Sequence, residues 1–372
     1  MSVSITFPQA LLSETALPLS CIEEYELRGA ILKGCVDDAM MDTIHTSSLI
    51  PSGSEAVMRN NHQQHILFVW AAMQLRSPDL FLVTIPWVYQ TYRKHGFSYD
   101  YFPCVLEKWK EAIRMHMTPT SREAILPIYN WILEHHQDWV QLAERDTERS
   151  FCAVGLSADQ ETLLEMLLEG QHDAAMTFLQ QKVTAPDAVA PFYSDMLQPV
   201  LYEIGHRWQL GQATVAEEHM ASAIVSRMMA SMPFVTAPCR SRKPARAIVS
   251  TAQQETHELG AWMVSDLLHL KQDWDVTYVG ADTPIADLID ITTKVQPALI
   301  ALSVTMVFHL PQIARFVETL RAQDMFSQTK VLVGGQAFQM VPDLWKTTHA
   351  DAHAPTLDVA LKQVATWKRD AA

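Results

Sequence analysis

The chain has 372 residues, a formal net charge of −14, and 48% hydrophobic against 19% charged residues. That length fits two or three domains, and that composition excludes long disordered stretches. The acidic balance carries no basic block and argues against nucleic acid or anionic lipid as a direct partner, while five scattered cysteines (Cys21, Cys35, Cys104, Cys152, Cys239) without a C-x-x-C pair argue against a disulfide scaffold or a zinc site.

The N-terminus, MSVSITFPQALLSETALPLS, has no basic region ahead of its apolar residues, so a secretory signal is not expected. The most apolar run, LFLVTIPWVY at 80–89, is short and carries Pro86. No span is expected, and a cytoplasmic setting is the default. Residues 1–150 read as helical, with helices near 58–76, 79–95, 99–117 and 120–144. Aromatics crowd this region, among them Trp70, Trp87, Tyr89, Tyr92, Tyr99, Tyr101, Phe102 and Trp109. Aromatics at helical spacing form a core, which suits a dimerisation or partner domain. A chromophore pocket is the other reading, with Arg93 and His95 for ligand carboxylates, Tyr99 and Tyr101 as lining and Cys104 as an attachment point. A haem held by His62, His65, His95 or His116 is the third.

Residues 157–232 carry apolar residues at helical spacing (Leu163, Leu164, Met166, Leu167; Ala174, Ala175, Phe178, Leu179) and predict a four-helix bundle. Pro199 predicts a kink in the third helix, and Gly211 breaks the chain before the fourth. That helix, 214–231, puts Val215, Glu218, His219 and Ser222 on one face. A Glu–His pair is costly to bury without a polar ligand, so this face is either solvated or a site. The segment RSRK, 240–243, reads as a linker.

Residues 243–372 alternate short β-branched runs (245–251, 275–280, 298–305, 330–335, and a weak fifth near 350–354) with helices at 258–271, 284–295, 309–323 and 356–368. This predicts a parallel sheet covered on both faces, a doubly wound, flavodoxin-like α/β domain. Ligands of such sheets bind at the carboxyl ends of the strands. There the first strand gives way to Glu255-Thr256-His257-Glu258-Leu259-Gly260. A histidine at that edge can reach a metal, and a carboxylate two residues earlier can hold its second nitrogen. Gly260 permits close approach of a bulky group. Ser303-Val304-Thr305 ends the third strand with both hydroxyls on one side. Gly334-Gly335 ends the fourth, followed by Gln336-Ala337-Phe338.

The succession E-x-H-x-x-G, S-x-T and G-G over about 130 residues, with YVGADTP at 278–284 between them, resembles the cobalamin-binding domain family. The resemblance implies vitamin B12 bound with His257 as the lower axial ligand of cobalt in place of its own base. The displaced nucleotide would then pass Ser303, Thr305 and the diglycine. Trp208, followed ten residues later by Glu218-His219, is similar to the four-helix cap of cobalamin-binding photoreceptors. That implies adenosylcobalamin, with Trp208 over the upper corrin face, Val215 leaving room for the adenosyl group and Glu218 on its ribose hydroxyls. The implied function is light sensing without catalysis: light breaks the cobalt–carbon bond, the cap shifts, and homo-oligomer assembly or an unknown signalling partner responds. Gln209 stands where light-responsive repressors of the family have a histidine, which leaves the upper position in the light to His206, His219 or water. The layout, a globin-like helical domain ahead of cap and cobalamin domain, resembles the photocobilins and implies biliverdin as a second chromophore. A corrinoid methyl carrier and a light-independent cobalamin sensor share the lower-face motif and are the alternatives.

Overall fold

The computed structural model describes residues 5–44, 48–145, 155–235, 244–272, 274–341 and 343–370. The RSRK segment, Cys152 and Cys239 lie outside them. The chain divides into two compact units, residues 1–149 with 209–211, and residues 150–208 with 212–372.

The first unit is helical: α1 (Leu19–Ile44), α2 (Glu55–Gln74), α3 (Pro78–Lys94), α4 (Tyr101–His116), α5 (Pro119–Glu134) and α6 (His136–Arg145). The aromatic pattern passes over α1, whose buried face (Cys21, Ile22, Leu32, Val36, Met40) is mostly aliphatic. Prolines set helix starts: Pro78 and Pro119 occupy first turns, where a missing N–H costs nothing. The expected helix at 120–144 is broken at His135, where the backbone leaves helical values. Its Nδ1 lies 2.9 Å from the Trp131 carbonyl, the acceptor that its own N–H also uses. The core is aromatic as expected, with Trp70, Trp109, Trp139, Tyr25, Tyr101 and Tyr129 buried. No described helix is long and apolar enough to cross a membrane, and the 80–89 run lies within α3.

The second unit begins with α7 (Ala158–Leu168) and α8 (His172–Lys182). A turn at α9 (Val189–Pro191) runs through a wide π-helical turn, Phe192–Leu197, into α10 (Gln198–Gln209), and α11 (Val215–Ala230) closes the bundle. Ser157 with Gln160, and Thr214 with Glu217, form reciprocal caps on α7 and α11. Pro199 has no N–H for the carbonyl of Asp195. That carbonyl instead accepts a 2.6 Å hydrogen bond from Gln160 Nε2. The kink expected from Pro199 thus becomes a π-turn held by a side chain of another helix.

The sheet and its helices follow: β1 (Arg246–Thr251), α12 (Leu259–Gln272), β2 (Asp275–Gly280), α13 (Ile285–Val295), β3 (Leu299–Ser303), α14 (Leu310–Arg321), β4 (Lys330–Gly334), the short α15 (Ala337–Met340), β5 (Ala352–Ala354) and α16 (Leu357–Asp370). All strand pairs are parallel, in the order β2-β1-β3-β4-β5. The order reverses between β1 and β3, where open α/β sheets bind ligands. The register aligns Thr251, Ser303, Gly334 and Ala354, so the strands end at one edge. Helix α12 serves two cores. Met263 and Leu267 pack in the bundle's cluster, while Ala261 and Leu268 pack on the sheet.

Candidate functional site

Glu255 is the anchor of the β1 edge. It is fully buried, and both oxygens are used. Oε1 accepts from the His257 N–H at 3.1 Å and pairs with His257 Nδ1 at 2.5 Å. Oε2 accepts from the Thr305 and Met306 N–H groups, each at 2.8 Å. One carboxylate therefore ties the loop after β1 to the loop after β3. Burial alone would push Glu255 up, but the His257 hydrogen bond and charge and the backbone donors outweigh it and hold its pKa below the ordinary value. Burial would pull His257 down, yet Glu255, and at longer range Glu218, raise it.

The His257 side chain is 53% exposed. Its Nδ1 is committed to Glu255, so Nε2 is the nitrogen with a lone pair to give. A carboxylate that fixes the tautomer and raises basicity suits a metal ligand, and imidazole suits a borderline transition metal. A Cβ at Gly260 would meet only Ser303 Oγ, at 3.7 Å, so there is room beside the imidazole. These residues fit a cobalt corrinoid, whose ring supplies four nitrogens and leaves a position that one imidazole from the protein can fill.

The other expected site residues divide. Thr256 is exposed, Leu259 packs with the bundle core, and Glu258 accepts from the Tyr278 hydroxyl of β2 at 3.0 Å. Ser303 ends β3 half-buried, and Thr305 follows in the loop. Val304 is wholly buried, a core residue, and donates to the Gly334 carbonyl at 2.9 Å. Phe338 is buried. Gly335 has φ +104°, and a Cβ there would come within 2.2 Å of the Val304 carbonyl oxygen. The diglycine thus has a reason inside the protein, the close approach of the loops after β3 and β4. Two residues outside the expected set complete the platform. Asp282 accepts from the Gln254 N–H at 2.7 Å and donates its own N–H to the Glu255 carbonyl at 3.1 Å. His309, buried just past β3, lies within the field of Glu255 and His257 while burial pulls its pKa down. Asp282 stands in the YVGADTP phrase, and His309 has no sequence signal.

On the bundle, Glu218 accepts from Ser222 at 2.9 Å, and His219 Nε2 lies 3.7 Å from it. His219 is 74% exposed and Val215 half-exposed, so this face is open. Glu218 is near enough to His257 to favour its charged form. Trp208 is half-buried at the end of α10, and the Nδ1 of nearby His206 is buried without a partner.

In the helical unit, a cavity of about 370 Å³ is lined by Gln90, Arg93, Lys94, Tyr99, Ala143 and Glu144. Arg93 lies over the Tyr99 ring. Of the residues expected around a second chromophore, Arg93 and Tyr99 face it and His95, Tyr101 and Cys104 do not. Tyr101 is buried against His62, 2.8 Å from its Nε2, and Cys104 Sγ lies 3.9 Å from Met40 Sδ. Both nitrogens of His62 are engaged, by Asp37 and Tyr101. His65 Nε2 is held by Tyr129 and His116 Nε2 by Cys35.

The model of the B12 binding domain matches residues 245–364, and a second B12 binding domain model matches residues 159–231. The HTH-type transcriptional repressor CarA of Myxococcus xanthus is 32% identical over 195 residues, 52% of this chain and 59% of that protein. The chain thus spans less than two thirds of that relative. Dimethylamine corrinoid protein 3 of Methanosarcina mazei is 26% identical over 134 residues, 36% of this chain and 80% of that protein. The solved monomethylamine corrinoid protein of Methanosarcina barkeri aligns with a TM-score of 0.48 at 17% identity, over 56% of this chain and 98% of that one. With a transcriptional repressor among the relatives, the expectation that the chain does not bind nucleic acid finds no support. Through residues 159–231 and 245–364, the chain belongs to the B12-binding domain family.

Proposed function

We propose that the chain is a non-catalytic, cobalamin-dependent light sensor that takes adenosylcobalamin between the bundle and the carboxyl edge of the sheet. The bound group supplies a light-labile cobalt–carbon bond. His257 would hold the cobalt, with Glu255 fixing the tautomer and direction of the imidazole. Residues 157–232 act as the cap and residues 243–372 as the cofactor domain. Trp208 covers the upper side, Val215 leaves space, and Glu218 accepts from a vicinal diol, which a carboxylate does with two acceptor oxygens. The observation that carries this reading is the exposed His257 imidazole, held through Nδ1 by buried Glu255 at the carboxyl edge of β1. The likeness to CarA supports it. Loss of the light-labile group would change what Trp208, Val215 and Glu218 pack against, and assembly or a partner contact would respond.

A corrinoid carrier is the second reading, favoured by the likeness to a dimethylamine corrinoid protein. In residues 1–150 we propose a second, bilin-type chromophore such as biliverdin, supported by the Arg93- and Tyr99-lined cavity. Absorbance of the full chain loaded with adenosylcobalamin, in the dark and then illuminated, tests the sensor. A light-induced spectral change is expected. A spectrum indifferent to light, with turnover at cobalt on addition of a methyl donor, would favour the carrier. A far-red band in the purified protein is the corresponding test for bilin.

A further inference from the structure

The helical unit pairs tyrosine with histidine repeatedly, and among the described residues one such pair has a carboxylate behind it. His62 Nδ1 lies 2.6 Å from Asp37 Oδ1, and His62 Nε2 lies 2.8 Å from the Tyr101 hydroxyl. A carboxylate only accepts, so Nδ1 carries the imidazole proton and Nε2 accepts from Tyr101. All three side chains are buried. Burial would raise the Asp37 carboxyl, but the Lys33 and His62 hydrogen bonds outweigh it and hold it below its ordinary value. Burial pulls His62 down, so its ring is neutral and its Nε2 lone pair is turned to the phenol. Burial also pushes Tyr101 well above the usual phenol value. The other pairs lack the carboxylate. Tyr129 lies 3.0 Å from His65 Nε2, a ring that burial pulls down to about 3. Tyr89 lies 3.0 Å from His136 Nδ1, a ring also pulled down by burial.

Loss of one electron turns a phenol into a strong acid, so a buried tyrosine is oxidised readily when a base is already in place. We infer that Tyr101 is a one-electron donor whose phenolic proton passes to His62 as the electron leaves. The Tyr101 O–H bond breaks, an N–H bond forms at His62 Nε2, and Asp37 stabilises the imidazolium through Nδ1. The products are a neutral tyrosyl radical, a protonated histidine and an oxidant reduced by one electron. When the electron returns, so does the proton. The oxidant is a conjugated pigment excited by light. Aromatic rings lead to it: Tyr101 to Phe102, 5.7 Å between centres, Phe102 to Tyr89 at 3.7 Å, and Tyr89 to Tyr99 at 6.3 Å. Tyr99 lines the cavity of this unit. The natural oxidant rests on the second-chromophore reading, whereas the redox role of Tyr101 does not.

The test is flash oxidation of the full chain by photogenerated tris(bipyridine)ruthenium(III), read by electron paramagnetic resonance and transient absorbance. A long-lived neutral tyrosyl radical is expected, and it should decay more slowly in heavy water because proton and electron return together. Tyr101→Phe removes one hydroxyl and should abolish the signal, whereas Tyr129→Phe should leave it. His62→Gln keeps a hydrogen-bonding side chain without a base, and should cut the radical's lifetime at least about tenfold, the effect of one charge-assisted hydrogen bond. Thermal melting establishes that the variants fold, and the heavy-water comparison needs no variant. Absence of a tyrosyl radical in the unaltered chain, a signal that survives Tyr101→Phe or is unchanged in His62→Gln, or a decay indifferent to heavy water overturns the inference. None of these outcomes depends on a bilin or a corrinoid being bound, so failure here is distinct from failure of either reading.

Discussion

A single buried carboxylate organises the sheet edge. Four donors converge on Glu255, and three of them are backbone N–H groups. The anion therefore stays satisfied when the imidazole is lost. His257→Ala should leave the melting temperature nearly unchanged, because the ring is half-exposed. Corrinoid affinity should fall at least about tenfold, the range seen when metal coordination is disturbed. Dark-state absorbance titration measures it, and an unchanged spectrum and affinity in the variant would remove His257 as the ligand.

Elements meet this edge through packing that residue types announce only in part. The first four strands of the second unit are legible because a strand buried on both faces reads as a continuous β-branched run, and each of the four ends in a serine, threonine or glycine. The E-x-H-x-x-G tip is legible because a metal ligand and its orienting carboxylate are neighbours in sequence. Contacts between distant residues are not. Nothing in the sequence brings Gln160 to the Asp195 carbonyl, or turns Tyr101 inward to His62 and away from a pocket. The diglycine is legible only as a passage for the displaced nucleotide, whereas a Cβ at Gly335 would meet the Val304 peptide. Gly335→Ala combines a positive φ with that clash and should cost about 2 kcal/mol or more. Chemical denaturation measures this, and a loss below about 0.5 kcal/mol would mean that the two loops part easily. Gln160→Ala removes half of a reciprocal cap and the ligand of the Asp195 carbonyl. It should cost about 1–2 kcal/mol, whereas Gln160→Glu, which keeps the acceptor for the cap but has no N–H for Asp195, should lose less.

At the scale of the molecule, one buried group in each unit should answer acid in opposite directions. His65, in the helical unit, has its pKa pulled down to about 3 by burial. A neutral imidazole in the folded state contributes stability above its unfolded pKa of about 6.5, and that contribution is lost as pH falls below it. Asp266 of α12 accepts from Tyr193 at 2.6 Å, and burial raises its pKa to about 6. The folded unit then holds a proton that the unfolded chain releases near pH 4, so stability falls as pH rises from about 4 to 6, by about 2 kcal/mol. Calorimetry between pH 4 and 7 on His65 and Asp266 variants against the parent should show the first contribution weakening on acidification and the second strengthening. Asp266→Asn should flatten the second without touching the first, and a parallel response of both would refute the assignment.

Because Met263 and Leu267 of α12 belong to the bundle's core and not to the sheet's, a fragment cut to begin at Pro244 would carry a greasy stripe into water. Such a piece would self-associate rather than stand as a free-living module. Dissection of this chain should therefore keep everything from Ser157 onward together.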